Sequence, residues 1–246
     1  MRFVSLFSGI GGLDLGLERA GHECVLQVEI DEFCQKVLAK HWPDVPRIAD
    51  VHDVLSTNVP ATDMLVGGFP CQPVSVAGKQ LGTEDERWLW PEFKRIISVV
   101  RPRYILLENV PGLFVRGFSD VLNGLAALGY DAEWSTISAA SVGAPHQRTR
   151  VFIVAYAGST GLPRRFFEHG FPVAARESST VIGDRDVECG GWWGENSADL
   201  SMGDGVPVRL ARRYVGPLGN AVVPQVAELI GHRLMELERK GERNDW

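Results

Sequence analysis

The stretch "RFVSLFSGIGGLDLG", residues 2–16, runs from an apolar strand pattern through a glycine-rich turn into a helical pattern. Three glycines make up the turn: Gly9, Gly11 and Gly12. Because glycine has no side chain, such a turn lets a ligand approach the backbone at a helix N-terminus. Many α/β folds need a glycine turn only for packing, so the turn alone is weak evidence for a ligand. The stretch predicts a strand, a tight turn and a helix.

Strand patterns and helical patterns alternate beyond this unit, as far as residue 156. The strand patterns cover residues 24–30, 63–68, 104–110, 132–139 and 150–156, and the helical patterns cover 31–41, 91–101 and 118–129. This alternation is typical of an α/β fold with a mainly parallel sheet wrapped by helices. Ligands of such sheets collect at the carboxyl ends of the strands, so a site is expected there.

The alternation stops after residue 156, which marks the end of a first domain over residues 1–156. Residues 157–217 are rich in Gly, Ser, Arg and Trp and show no clear period, which predicts a small irregular lobe that contacts a partner. In residues 218–246, apolar positions recur at helical spacing from Val226 to Leu237. This segment predicts an amphipathic helix that returns to the first domain.

Composition and charge narrow the function classes. The 246 residues carry a net charge of −6, which argues mildly against a nucleic-acid partner, but residues 147–213 hold nine arginines against eight acidic residues. Arginine is suited to phosphates and base edges. No apolar run reaches 18 residues, and the four cysteines form neither a CxxC pair nor a disulfide framework. We therefore expect no membrane anchor, no metal and a reducing, cytoplasmic setting.

Two acidic residues follow predicted strands near the glycine turn. Glu29 ends the second strand pattern, where it could accept hydrogen bonds from the hydroxyls of a ribose, or it could be a solvated strand end. Asp50 ends a short third strand pattern, where it could accept from an adenine amino group, or it could cap a helical turn. Taken together with the glycines, the two acids favour a cofactor that contains adenosine.

Cys71 lies in "GGFPCQPVS", residues 67–75, directly after a strand pattern. A cysteine is commonly a small buried apolar residue. The flanking Pro70 and Pro73 instead indicate a rigid exposed loop at the carboxyl end of a strand, which is where a reactive thiolate is useful.

Glu108 and Asn109 end the strand pattern of residues 104–110. A glutamate beside a sulfur nucleophile could donate a proton if burial raises its pKa. The alternative is a carboxylate that caps the following turn.

Five motifs, in this order along the chain, resemble those of the DNA (cytosine-5)-methyltransferase family. They are "FSGIGG" (7–12), "GGFPCQPVS" (67–75), "ENV" (108–110), "QRTR" (147–150) and "GNAVVPQVAE" (219–228). The resemblance implies a Rossmann-like sheet that binds S-adenosylmethionine and releases S-adenosylhomocysteine, with residues 157–217 as the target-recognition lobe. The implied reaction is methyl transfer to C5 of a cytosine that is flipped out of a specific duplex DNA sequence.

The resemblance also implies a role for each motif residue. Cys71 would be the nucleophile that adds to C6 of cytosine, and Glu108 would donate a proton to N3. Arg148 and Arg150 would orient the flipped base or the catalytic loop. The residues implied at the cofactor are Phe7, Gly9, Gly11, Gly12, Glu29, Ile30, Asp50, Val51, Gly68, Pro70, Asn220, Ala221 and Val222. The residues implied at the DNA are Gln72, Ser75, Arg87, Arg209, Arg212 and Arg213.

The sequence departs from the family pattern in three places. His146 stands where the arginine motif usually begins with glutamine. The family motif that supports the recognition region is not legible, and residues 204–213, which include Arg209, are the candidate for a degenerate counterpart. The lobe is short, and its Trp192 and Trp193 could either stack on DNA or form the small core of the lobe, which is the favoured interpretation.

Three other functions compete with DNA methylation. They are cytosine-5 methylation of RNA such as tRNA, a module that binds cofactor and DNA without catalysis, and a nicotinamide-dependent oxidoreductase. The G-x-G-G turn and the absence of a catalytic His or Lys pattern disfavour the oxidoreductase. For the leading function we expect double-stranded DNA as the partner, a monomer, and a restriction endonuclease as a separately acting companion.

Overall fold

The computed structural model describes residues 1–70, 88–144, 146–158, 166–167 and 221–241. Its seven strands form one sheet: β1 (Arg2–Leu6), β2 (Glu23–Val28), β3 (Arg47–Ile48), β4 (Met64–Gly67), β5 (Tyr104–Asn109), β6 (Tyr130–Ser138) and β7 (Thr149–Ala157). The helices in these ranges are α1 (Gly12–Arg19), α2 (Glu32–His41), α3 (Trp90–Val100), α4 (Leu113–Arg116), α5 (Phe118–Ala127) and α6 (Pro224–Gly241). Two short 3₁₀ turns cover Val51–Asp53 and Ala139–Val142.

The sheet has the strand order β3-β2-β1-β4-β5-β7-β6. The five strands from β3 to β5 pair in parallel, whereas β7 runs antiparallel to both β5 and β6. The predicted α/β fold with a mainly parallel sheet is therefore confirmed. The reversed β7 was not predicted. Its cause is the short connection of residues 139–148, because parallel neighbours need a longer crossover.

Local sequence signals set the ends of the helices. The Asp31 side chain accepts a hydrogen bond from the Cys34 N–H at 2.9 Å and caps α2, as the sequence predicts. Pro91 lies in the first turn of α3, where its missing N–H has no helical partner to lose. Gly129 follows α5 with φ 84°, a conformation that favours glycine. Up to residue 157, the predicted helices and strands agree with the observed ones to within about two residues at each end. The short helix α4 was not predicted, and α6 extends beyond the apolar stripe of residues 226–237 at its C-terminal end.

Alternate residues of the central strands face opposite sides of the sheet. On β1, Val4 and Leu6 pack with Phe93 of α3, whereas Phe3 packs on the other side with α1 and α6. Both faces of the parallel strands are thus covered by helices, which is the usual reason that such strands are apolar along their whole length. None of the helices in the described ranges combines the length and apolar character needed to cross a bilayer.

The last helix, α6, packs against the first helix, α1. Its buried positions follow the predicted apolar stripe: Val226, Ile230, Leu234 and Leu237. The contact is close at Gly231, whose carbonyl oxygen also forms a hydrogen bond with Nε2 of the buried His22 at 3.0 Å. Glu238 of the same helix pairs with Arg103 and Tyr104 at the start of β5. The helix therefore fixes the segment that precedes it, residues 221–223, beside the glycine turn.

We predict that Gly231→Ala destabilises the protein. A Cβ at this position would lie 2.7 Å from the Cβ of Ala20, and such overpacking costs about 1–3 kcal/mol. The better helix propensity of alanine returns only about 1 kcal/mol. Urea unfolding should therefore give a free energy of unfolding lower by about 1 kcal/mol. His232→Ala, on the exposed side of the same helix, should change it by less than about 0.5 kcal/mol. A more stable Gly231→Ala protein would contradict the close packing.

Candidate active site

The carboxyl ends of β1, β2, β4 and β5 open into one cavity of about 600 Å³. The cavity is lined by residues that the sequence analysis assigned to the cofactor: Phe7, Gly9, Gly12, Glu29, Ile30, Asp50, Val51, Gly68, Pro70, Ala221 and Val222. Two of the predicted catalytic residues, Glu108 and Arg150, line it as well. The structure therefore joins the predicted cofactor side and the predicted base side in a single space.

The glycine turn and Glu29 form one side of the cavity. Gly9 has φ 57°, a conformation that side chains disfavour, and the position of its missing Cβ is open space. The N–H groups of Gly9 and Asp31 donate to the two oxygens of the Glu29 carboxylate at 2.7 and 2.8 Å. Burial raises the pKa of Glu29, and these two hydrogen bonds oppose that effect. Glu29 is thus held against the turn instead of extending into solvent.

Gly11 has a different role from Gly9. It precedes α1 with φ 85°, and a Cβ at this position would lie 2.4 Å from the ring of Trp42. It does not line the cavity, so its contribution in the described structure is close packing of the turn on α2. The packing role that the sequence analysis left open for the glycines therefore applies to this one.

Phe7 and Asp50 both line the cavity. Phe7 is a non-glycine residue with φ 54°, and its ring stacks on Phe93 of α3 with centroids 6.3 Å apart. Such strain is maintained only where the surroundings fix it, and it is common at ligand sites. Asp50 accepts hydrogen bonds from the backbone and the ring of His52, which lower its pKa. Asp50 therefore caps the 3₁₀ turn and also lines the cavity.

Residues 221 and 222 form another part of the cavity wall, against the glycine turn. A Cβ on Gly12 would lie 2.3 Å from the carbonyl oxygen of Val222, so only glycine lets this wall approach the turn. From the other side, Nη2 of Arg148 donates to the carbonyl oxygen of Ala221 at 2.6 Å. Arg148 has φ 25°, in the region that side chains disfavour. Arg148 of the QRTR motif thus binds this wall, a contact that the sequence did not reveal.

Glu108 is buried, with 7% of its surface exposed, and its Oε1 lies 3.1 Å from Nε of Arg150. The pair is in ionic contact, but within the described ranges no donor is aligned to form a hydrogen bond with that oxygen. Burial raises the pKa of Glu108 to about 7, although Arg150 and Arg148 favour the charged form. A carboxyl group that exchanges its proton near neutral pH can act as a general acid. It does not cap the next turn, because Asn109 Oδ1 accepts the Val110 N–H instead.

Asn109 ends β5, and Gly68 directly follows β4, so the two residues lie where the ends of these strands come together. From Gly68 the chain continues through Phe69 and Pro70 to Cys71. Asn109 Nδ2 donates to the carbonyl oxygen of Phe69 at 3.3 Å. A Cβ on Gly68 would lie 2.7 Å from Oε2 of Glu108. The sequence analysis assigned no role to Asn109. Its position directly after Glu108, at the end of a strand, was the sequence feature that could have indicated one.

Several predicted residues lie outside the described ranges. They are Cys71, Gln72, Ser75, Arg87, Trp192, Trp193, Arg209, Arg212, Arg213 and Asn220. The boundary between the predicted lobe and the last segment, at residue 217, lies outside them too. His146 is described and is exposed. Within the described ranges, no group of three or more His, Cys, Asp or Glu side chains is arranged to hold a metal ion.

A protein-family model described as C-5 cytosine-specific DNA methylase matches residues 1–189. The chain belongs to this family. Among the methylases that it resembles, type II methyltransferase M.BanI of Aneurinibacillus aneurinilyticus is 38% identical over 170 residues, which cover 65% of this chain and 39% of M.BanI. M.HhaI of Haemophilus parahaemolyticus is 30% identical over 193 residues, covering 76% and 59% of the two chains. The chain thus spans less than two thirds of the length of either relative.

Solved methylase structures agree with the Rossmann-like fold. An E. coli prophage protein assigned as a DNA modification methyltransferase superposes with a TM-score of 0.57 and 32% identity, over 66% of this chain and 48% of its own. A Spodoptera frugiperda DNMT2 variant superposes with the same TM-score at 23% identity, over 67% and 52% of the two chains. The second likeness supports the fold alone.

We predict that Glu108→Gln makes the stability of the protein less dependent on pH between pH 5 and pH 8. Below pH 4.5 the carboxyl is protonated in both the folded and the unfolded protein. Between pH 4.5 and about 7 the unfolded form loses its proton first, so the wild type loses stability on the order of 3 kcal/mol. Glutamine does not titrate and avoids this loss. Urea unfolding of both proteins at pH 5 and pH 8 measures the divergence. A stability difference that stays constant between the two pH values would contradict the raised pKa.

Proposed function

We propose that the protein is a DNA (cytosine-5)-methyltransferase that transfers a methyl group from S-adenosylmethionine to cytosine in duplex DNA. The observation that carries the proposal is the buried Glu108 carboxyl, whose pKa of about 7 suits proton donation and whose partner is Arg150. It adjoins the end of β4, from which the chain continues into Pro70-Cys71-Gln72. Membership in the methylase family supports the same conclusion.

The cavity fits the cofactor that this function requires. Its volume of about 600 Å³ is in the range of small-molecule sites. Open space at Gly9 and the Glu29 carboxyl beside it suit a ribose, which Glu29 would hold by its hydroxyls. Phe7 and Val51 would flank the adenine, with Asp50 at its amino group. Ala221 and Val222, together with Asn220, would lie near the methionine end. When bound, S-adenosylmethionine supplies an electrophilic methyl group.

The residues of the chain would make the cytosine ring nucleophilic. The Cys71 thiolate would add to C6, forming an Sγ–C6 bond, while Glu108 gives its proton to N3 so that the added electron pair is accommodated. C5 is then enamine-like and can take the methyl group. Return of the N3 proton to Glu108, loss of the C5 proton and cleavage of the Sγ–C6 bond would then restore the aromatic ring, the carboxyl and the thiolate. Arg150, in contact with Glu108, would keep the carboxyl oriented toward the base.

The target base must leave the stack before Cys71 can reach it. Gln72, Ser75 and Arg87 would contact the DNA from the catalytic loop, and Arg209, Arg212 and Arg213 from the recognition lobe. Such contacts with phosphates make binding salt-dependent even though the net charge is −6. We further propose a cytoplasmic, monomeric enzyme, with any restriction endonuclease acting as a separate protein.

Expression in a host that lacks DNA methylation, followed by bisulfite sequencing, tests the function. We expect methylated cytosines within one recurring sequence of the host DNA, because a specific methylase modifies every copy of its target. The Cys71→Ser protein should leave the same DNA unmodified. Unmodified DNA together with methylated host tRNA would instead favour an RNA methyltransferase. Binding of S-adenosylhomocysteine without either product would favour a module that binds without catalysis.

A duplex with 5-fluorocytosine at the target position tests the covalent step. Fluorine at C5 cannot leave as a proton does, so the Sγ–C6 bond should persist. With S-adenosylmethionine present, denaturing electrophoresis should show a protein–DNA adduct, and peptide mapping should assign it to Cys71. Cys71→Ser should form none. An active wild-type protein that never forms the adduct would exclude the covalent mechanism.

Glu29→Gln tests the cofactor side separately. Glutamine keeps the shape of the side chain, but its amide N–H₂ group cannot accept a hydrogen bond where a carboxyl oxygen does, and hydrogen bonds that involve an ion are worth about 1.5–3 kcal/mol. The dissociation constant for S-adenosylhomocysteine should rise about tenfold or more. Glu32→Gln, an exposed acid on α2, is the matched control and should leave the constant unchanged. Equal affinities of Glu29→Gln and wild type would show that Glu29 does not hold the cofactor.

A further inference from the structure

The side chain of Arg95 on α3 binds backbone carbonyl groups of the turn at residues 50–54, and Asp50 and Val51 of this turn line the cavity. Its Nη1 donates to the carbonyl oxygen of Val54 at 2.9 Å, and its Nη2 donates to that of Val51 at 3.1 Å. Its Nε donates to Glu92 Oε2 at 2.7 Å, one turn earlier on the same helix. The planar guanidinium is therefore oriented by Glu92 on one side and spans two carbonyl groups on the other. Lysine cannot reproduce this fork.

The turn of residues 50–54 receives few hydrogen bonds from the sheet. It follows β3, which is two residues long and lies at the edge of the sheet. Within the turn, the N–H groups of Asp53 and Val54 donate to the carbonyl oxygens of Asp50 and Val51 at 3.0 and 3.2 Å. Short edge strands contribute few ladder hydrogen bonds. The position of Asp50 and Val51 relative to the cavity therefore depends strongly on α3.

The same helix contacts two other parts of the cavity. Phe93 stacks on Phe7, which also lines the cavity. Trp90 contacts Phe69, another lining residue, with ring centroids 5.8 Å apart. The side chains of α3 thus contact three parts of the cavity lining: the turn of residues 50–54, Phe7 and Phe69.

We propose that Arg95 is a positioning residue for the adenine end of the cofactor site. It acts through the turn of residues 50–54, and it contacts neither the cofactor nor the reacting base. The proposal rests on the proposed function, because it assumes that Phe7 and Val51 flank an adenine. Loss of the fork would let the turn move away from Phe7 and weaken cofactor binding. The base side, built from Glu108 and Arg150 on β5 and β7, would keep its geometry.

Arg95→Lys and Arg95→Met, compared with the wild type, test this role by calorimetry with S-adenosylhomocysteine and by steady-state kinetics. Lys94→Met is the matched control, because it removes a cation from the neighbouring position of the same helix. Both Arg95 variants should raise the dissociation constant about tenfold, equivalent to about 1.4 kcal/mol, whereas Lys94→Met should not. The KM for S-adenosylmethionine should rise in parallel. The kcat at saturating cofactor and the KM for DNA should stay within about twofold of wild type.

Glu92→Gln gives a graded comparison, because the amide can still orient Arg95 but without charge. Its dissociation constant should lie between those of the wild type and Arg95→Lys. Unchanged cofactor affinity in both Arg95 variants would overturn the proposal. A uniform loss of cofactor affinity, DNA affinity and kcat, accompanied by a lower melting temperature, would also overturn it, because Arg95 would then only stabilise the fold. A wild-type protein that binds no S-adenosylhomocysteine would refute the proposed function itself, and that result needs no variant.

Discussion

The Glu108 carboxyl is buried between Gly68 and Arg150, and the rest of the site is arranged around this contact. Removing a carboxylate from water is costly unless a cation compensates it. Burial raises the pKa of Glu108 to about 7, because the charges of Arg150 and Arg148 only partly offset the loss of water. The closeness of Gly68 follows from the parallel pairing of β4 with β5, which places their carboxyl ends side by side.

The cofactor side is closed by contacts between distant parts of the chain. α6 packs on α1, and the residues before α6 are held between the glycine turn and Arg148. Arg95 on α3 holds the turn that follows β3. Each of these contacts joins residues that are far apart in the sequence. The cavity is therefore a product of tertiary packing, although its chemistry comes from short motifs.

Much of the fold could be predicted, because each element has a local signal. Periodicity identified the helices and strands, and Asp31 and Pro91 identified the first turns of α2 and α3. The direction of β7 was missed, because strand direction depends on the pairing partner and not on the pattern within the strand. The candidate site was predicted as a set of residues from five motifs. Arg95 was missed, because its guanidinium acts on backbone carbonyls 41 and 44 positions away, which leave no pattern in the sequence.

The sequence by itself determined the α/β class, the glycine turn and the presence of a thiol, a carboxyl and two arginines in the family order. Only the tertiary structure decided what these groups can do. Glu108 shifts its pKa because burial removes water from it, and burial depends on residues far away in the chain. Arg148 and Arg150 are two residues apart, yet one binds the wall at Ala221 and the other Glu108. Charge and hydrogen bonding act over a few ångströms in space, whereas a sequence records only distance along the chain.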